Sequence, residues 1–250
     1  MKDFLSVMWA IVGREVGGYF HAPIAYVFIF IFLIISSLLT FVQSGFFEAG
    51  EATLAYAFFK WHPWLYAFLV PAIGMRVWTE ENRQGTIELL LTHPVSLGQL
   101  VLAKYLAALV PLLVTLLLTG TSVLTVEYLG DPDYGPIVTG YLGSVLLGAS
   151  FLALSCCCSA LTRSPVIAFI FGAALCVMLV LIGSKEVGEV LVRSFPEQRW
   201  LVESIAATGI AQYFAMFRRG LLATQAVGYF TVLTTFALLA NYQILRWKQG

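Results

Sequence analysis

Residues Ile24–Leu39 read IAYVFIFIFLIISSLL, 16 positions without a charge. A barrel strand in an outer membrane alternates apolar with polar over about 10 residues. This stretch does not alternate, and it lies inside a longer run from Val16 to Phe47 that carries no Asp, Glu, Lys or Arg. A helix needs about 20 such residues to cross a hydrocarbon core. A charge near the bilayer centre costs about 2.5–3.5 kcal/mol on insertion scales, so charge-free runs mark the spans. Five more occur, at Trp61–Met75, Tyr105–Val126, Tyr134–Thr162, Ser164–Ser184 and Gly220–Leu245. The expected architecture is therefore an all-α integral membrane protein, a single domain over residues 1–250 with six transmembrane helices. They are placed near 24–43, 60–78, 104–126, 137–161, 165–184 and 224–245. The second run is the shortest, so its helix is expected to end on snorkelling Lys60 or Arg76.

Composition agrees. Of 250 residues, 60% are hydrophobic and 11% charged, against roughly 25% charged in a soluble domain. Fourteen Lys/Arg balance 14 Asp/Glu, which removes the electrostatic case for nucleic-acid binding. The first run is too long for a cleaved leader and follows an amphipathic segment. Loop charges set the orientation. Lys2, Arg14, Arg76, Arg83, Lys104, Arg163, Arg246 and Lys248 fall on the side of the termini. Lys60 and five basic residues of the long 185–219 loop fall on the other, where four glutamates accompany them. Both termini are expected in the cytoplasm.

The spans exclude several functions. Ion-driven carriers hold ionisable groups at membrane depth, and intramembrane hydrolases need a nucleophile with a base or a metal there. These spans offer hydroxyls such as Ser36, Thr115, Ser150 and Thr234, which read as helix glue. Cys156, Cys157 and Cys158 point in different directions around one helix and cannot chelate one metal. They and Cys176 read as packing residues. His21, His62 and His93 fall at three membrane boundaries and read as interfacial. Asp131-Pro132 reads as a tight turn rather than a calcium loop. There is no G-x-x-x-x-G-K-[ST] loop; Gly183-Ser184-Lys185 is only a scrambled remnant. Catalytic, cofactor-binding and metal residues are all expected to be absent, so any driving energy comes from another polypeptide.

The most patterned polar segment joins the second and third spans, Arg76 to Lys104. At helical spacing Glu81, Gln84, Gly85 and Glu88 share one face, with Ile87, Leu90 and Leu91 on the other. A short amphipathic helix is expected from about Glu80 to Leu91. Glu80 pairs with Arg83 at i, i+3, and His93-Pro94 ends the helix. Ser96-Leu97-Gly98-Gln99 forms a capping box for the third span. Two uses fit such a helix: an interfacial stitch, or a knob that docks in the groove of a soluble partner. Pro71 with Gly74, and Pro111, flank the hairpin and favour kinks.

Glu80-Glu81, Gly85-Thr86 and Glu88-Leu89-Leu90, with Pro94 four positions on, resemble the E-E-x-x-x-G-T-x-E-L-L…P pattern that type-2 ABC transporter permeases carry after their second membrane helix. The chain resembles the gliding-motility-type permease subunit of that family, or its relative in nitrous-oxide-reductase maturation. The resemblance covers nearly the whole chain. It implies that residues 80–92 are a coupling helix docking on a separate ATPase subunit, through Glu80, Glu81, Gly85, Thr86, Glu88, Leu89, Leu90 and Pro94. It implies that residues 1–20 are an amphipathic connecting helix beside the coupling helix, with Arg14 or Glu15 in contact. By residues alone, a plain membrane anchor fits that pair equally. It implies that the 185–219 loop caps a path on the outer side, with Arg218-Arg219 at lipid headgroups. The implied partners are two copies of the ATPase, which bind ATP and Mg, and a second permease copy or paralogue. A gliding-type extracytoplasmic auxiliary protein is also implied. The implied function is ATP-driven export across a bacterial inner membrane. The alternative is a non-transporting complex that energises an extracytoplasmic assembly or motility partner.

Overall fold

A computed structural model describes residues 2–44, 54–85, 96–130, 132–184, 187, 193, 200 and 208–248. The described residues are mostly helical, with no strand among them. In chain order the helices are α1 (Lys2–His21), α2 (Pro23–Leu38, continued by a π turn Leu39–Gln43), α3 (Leu54–Ala57), α4 (His62–Gly74) and α5 (Arg76–Gln84). There follow α6 (Leu97–Leu118), α7 (Gly120–Leu129), α8 (Tyr134–Leu161), α9 (Pro165–Ile182), α10 (Ile210–Arg218) and α11 (Thr224–Trp247).

The boundaries follow local chemistry. Pro23 and Pro165 occupy first-turn positions of α2 and α9, where no backbone N–H is missed. The expected capping box is present. Ser96 Oγ accepts from Gln99 N–H, and Gln99 Oε1 accepts from Ser96 N–H at 2.9 Å. Asp133 accepts from Gly135 N–H at 2.9 Å to open α8.

α8 is the hub, packed against α4, α5, α6, α9, α10 and α11. Its small residues allow this. Gly140, Ser144 and Gly148 recur every fourth position on one face, the spacing that brings helices close. A Cβ on Gly148 would meet Leu112 at 2.7 Å and Tyr66 at 3.1 Å. Buried hydroxyls join the hub to its neighbours. Ser150 Oγ lies 2.9 Å from Thr234 Oγ1, Thr139 donates to Phe217 O at 2.6 Å, and Tyr105 donates to Ala149 O at 3.1 Å. Large apolar side chains remain outside: Phe30, Ile34 and Leu38 on α2, Phe171 and Met178 on α9, Phe236 on α11. A chain this apolar on its exterior suits lipid.

Four helices are long and apolar enough to cross a membrane among the described residues: Pro23–Gln43, Leu97–Leu129, Tyr134–Leu161 and Pro165–Ile182. The other two expected spans differ. The span expected at 60–78 is a 3₁₀ turn, Phe59–Trp61, then α4 with 13 residues, then α5. At ~1.5 Å per residue α4 is about 20 Å long, short of a ~30 Å core. The hydrogen-bond ladder lapses near Pro71, which lacks an N–H. Met75 nevertheless keeps helical dihedrals (φ −58°, ψ −27°), so α5 continues α4. α11 has 24 residues, but Gln225, Asn241 and Gln243 lower its hydropathy.

Two further expectations change. The helix expected from Glu80 to Leu91 stops at Gln84. Gly85 takes φ 68° and ψ 12°, a left-handed C-cap that helical periodicity does not register. Residues 86–95 lie outside the described residues, and with them Thr86, Glu88, Leu89, Leu90, Pro94 and His93. His62 is not interfacial but fully buried. It stacks on Tyr66 (centroids 5.3 Å apart, 14° between planes), with Phe58 edge-on at 4.5 Å. Its Nδ1 lies 2.6 Å from Ser144 Oγ. Arg218 stands over the ring of Tyr56, 5.5 Å from its centroid. The remaining polar calls of the 185–219 loop, up to residue 207, fall almost wholly outside the described residues.

A candidate coupling junction

The polar part of the molecule gathers on α5. Its apolar side is fixed by Val77 and Trp78, both buried. Neighbouring residues then grip opposite sides, since successive side chains on a helix point about 100° apart.

On one side is Lys104, two turns into α6. Its side chain is 3% exposed, and its Nζ donates to Glu81 Oε1 at 2.5 Å and Glu15 Oε2 at 3.1 Å. The ammonium also lies 5.4 Å from the Trp78 ring centroid. α1 is held there by packing as well. Met8 and Val12 are buried against Ala103 and Ala107 of α6. Arg14 Nη2 reaches Glu15 Oε1 at 3.0 Å from the exposed side. Burial raises the Glu15 pKa, but Lys104 and Arg14 outweigh it, and the carboxyl titrates below its ordinary value. A buried lysine shared by two carboxylates is a geometric fixture. Removing one member of such a set costs about 3–5 kcal/mol, because charge is left unpaired.

On the other side is Asn82, also buried. Its Nδ2 donates to Ala160 O at 3.3 Å and Thr162 O at 3.2 Å. These carbonyls end α8 and have no partner within the helix. Lys248, at the end of α11, donates to Ala160 O at 2.6 Å and to Asn82 Oδ1 at 3.4 Å. A cation at a helix C-terminus also complements the helix dipole. Burial and the nearby Arg163 hold the Lys248 pKa below its ordinary value.

The expected site residues thus divide. Glu80 pairs with Arg83 at 3.2 Å, as its spacing predicts, and with Arg76 at 3.3 Å. Glu81, expected beside Gln84 and Gly85, turns inward to Lys104, while Gln84 and Gly85 are exposed. Glu15 meets the hairpin through Lys104, and Arg14 pairs with Glu15. Pro71 is buried and packs near Gly172 of α9. Gly74 lies so close to Ser155 that a Cβ would collide. Pro111 sits inside an uninterrupted α6. Sequence reasoning counted Lys104 only as a loop charge and passed over Asn82. The available signal was a lysine two turns beyond a strong capping box, inside the helix it starts.

Among the described residues no three His, Cys, Asp or Glu are placed to hold a metal. The junction can transmit position: α5 is continuous with α4, salt-bridged to α6 and through Lys104 to α1, and hydrogen-bonded to α8 and α11. A family model described as ABC-2 family transporter protein matches residues 9–239. No curated protein matches the chain.

Proposed function

Because the chain belongs to the ABC-2 family of transporter proteins, and so is a multi-pass membrane component of an ABC transporter, we propose that it is the permease half of an ATP-driven exporter. In this reading the α5 junction is where force enters. The chain does no bond chemistry; ATP and Mg bind a separate ATPase, present in two copies. The tip of the 76–104 hairpin docks on that ATPase. Six helices cross a bacterial inner membrane, α11 and α4, the latter lengthened by the Phe59–Trp61 turn and the start of α5, completing the set, with both termini cytoplasmic. A second permease copy or a paralogue forms the other half of the path.

The observation that carries this reading is the grip on α5. A partner pushing on the exposed Arg83–Gly85 end moves a rod bolted through Glu81 and Asn82 to four other helices. Closure of the ATPase dimer would bring two such rods together and reorient both bundles. Thr86, Glu88, Leu89, Leu90 and Pro94 would lie at the docked tip.

The test is co-purification from membranes. Glu88→Arg with Gln84→Trp is expected to lose the ATPase while the permease remains folded in the membrane. An undiminished ATPase yield contradicts the docking role.

A further inference from the structure

A cleft of about 200 Å³ opens beside the junction, between the end of α1, the start of α2, α5 and α6. Three carboxylates line it, and five of their six oxygens are taken. Glu15 Oε1 accepts from Arg14 and Oε2 from Lys104. Glu80 Oε1 accepts from Arg83 and Oε2 from Arg76. Glu81 Oε1 accepts from Lys104. Glu81 Oε2 is buried and has no partner. A buried carboxylate oxygen without a donor is costly. Glu81 itself lines the cleft, and the terminal torsion of a glutamate is soft.

The chemistry of a fitting ligand is narrow. A divalent cation needs several oxygens together, and here the other five are held by cations that would repel it. One free carboxylate oxygen calls for a single strong N–H donor. A primary ammonium has three such hydrogens; a quaternary ammonium has none. On the same wall Arg76 donates to Glu80 through Nε and Nη2, at 3.4 and 3.3 Å, and keeps Nη1 for an incoming anionic oxygen. The floor of the cleft is Ala22 and Ile24, where α2 begins. Below it Val27, Phe30, Ile31 and Ile34 are exposed apolar side chains on that helix. The cleft thus offers a carboxylate and a guanidinium, and the helix that begins at its wall carries exposed apolar side chains.

We propose that this cleft binds a phospholipid whose headgroup carries a primary amine, with the ammonium on Glu81, the phosphate on Arg76 and an acyl chain along α2. The site joins bilayer composition to the coupling junction, because the ligand meets the carboxylate that holds Lys104. It rests on the membrane placement above but not on ATPase docking, so lipid binding and co-purification can fail separately.

The experiment is native mass spectrometry of the delipidated full chain. It is titrated with phosphatidylethanolamine, its N,N,N-trimethyl counterpart phosphatidylcholine, or free ethanolamine. Wild type is expected to retain phosphatidylethanolamine roughly tenfold better than phosphatidylcholine, the scale of one hydrogen bond to a charged group. Glu81→Gln is expected to erase that preference. Arg76→Gln is expected to weaken both lipids alike. Gly18→Leu, at a cleft position where an added Cβ meets nothing within 4 Å, fills the space without touching the ion pairs and is expected to erase the preference too. Equal retention of the two lipids by wild type overturns the proposal. So does a preference that survives both Glu81→Gln and Gly18→Leu. Displacement of the lipid by free ethanolamine at matching concentration overturns it as well, and assigns the cleft to a soluble amine or a partner's lysine.

Discussion

Lys104 Nζ meets Glu81 Oε1 at 2.5 Å, across 23 residues of sequence and between two helices, with 3% of the lysine side chain exposed. The same ammonium holds Glu15, 89 residues away along the chain. One buried cation therefore ties the N-terminal helix, the foot of the 76–104 hairpin and the third expected span into one unit.

Lys104→Met leaves two carboxylates without their shared cation. It is expected to destabilise the chain by about 3–5 kcal/mol. Adding Glu15→Gln and Glu81→Gln removes the stranded charges and should recover much of that loss. Thermal unfolding in detergent checks both, and equal melting of the single and triple variants would speak against a buried ionic fixture.

Glu15 contributes a pH dependence of definite sign. Its folded-state pKa lies below the ordinary 4.5. A carboxyl depressed on folding contributes stability that is present above the unfolded value and is lost as pH falls through the folded one. The difference in melting temperature between wild type and Glu15→Gln is therefore expected to be constant near neutrality and to shrink once pH drops below 4.5. A difference that stays level into that acid range would remove the ion pair from the account.

Asn82→Leu takes the side-chain donor away from the carbonyls at the end of α8 and leaves Lys248 on Ala160 O alone. A loss of about 1–3 kcal/mol is expected. Hydrogen exchange should then quicken in α5 and at the end of α11, while the Tyr134 end of α8 keeps its protection. Unchanged exchange in α5 would contradict the second grip.

Gly148→Val forces a branched side chain onto Leu112 and Tyr66. Overpacking of this kind costs about 1–3 kcal/mol. Gly228, where a Cβ meets nothing within 4 Å, should accept the same change with little effect on melting. Similar melting of the two variants would mean that the close approach at Gly148 is not needed.

Pro71→Ala with Pro111→Ala restores two backbone donors in the helices that flank the hairpin. If those helices bend as the hairpin moves, ATPase-coupled activity falls while assembly with the ATPase is intact. Unchanged coupled activity would dispose of the bending idea.

Local chemistry was legible and long-range pairing was not. The charge-free runs located α2, α8, α9 and α11 within a few residues, because exclusion of charge from hydrocarbon acts position by position. The Ser96–Gln99 box was readable because both partners sit within one turn. The stop at Gly85 was missed because apolar spacing through Leu91 carries no information on the sign of φ. The burial of His62 was missed because a histidine beside a proline and two tryptophans reads as an interface. Its actual neighbours Phe32 and Ser144 come from distant segments. Lys104 looked like a loop charge because its two carboxylates lie on other helices.

The central claim is that the exposed end of α5 receives a soluble motor. A photo-crosslinking residue at Gln84, in membranes from cells making the whole system, tests it most directly. Tyr128, exposed near the end of α7, is the control position. The account predicts an adduct from position 84 whose partner, identified by its peptides, is an ATPase with a phosphate-binding loop, and no such adduct from position 128. Lipid adducts alone from position 84, with no ATPase captured, would contradict it.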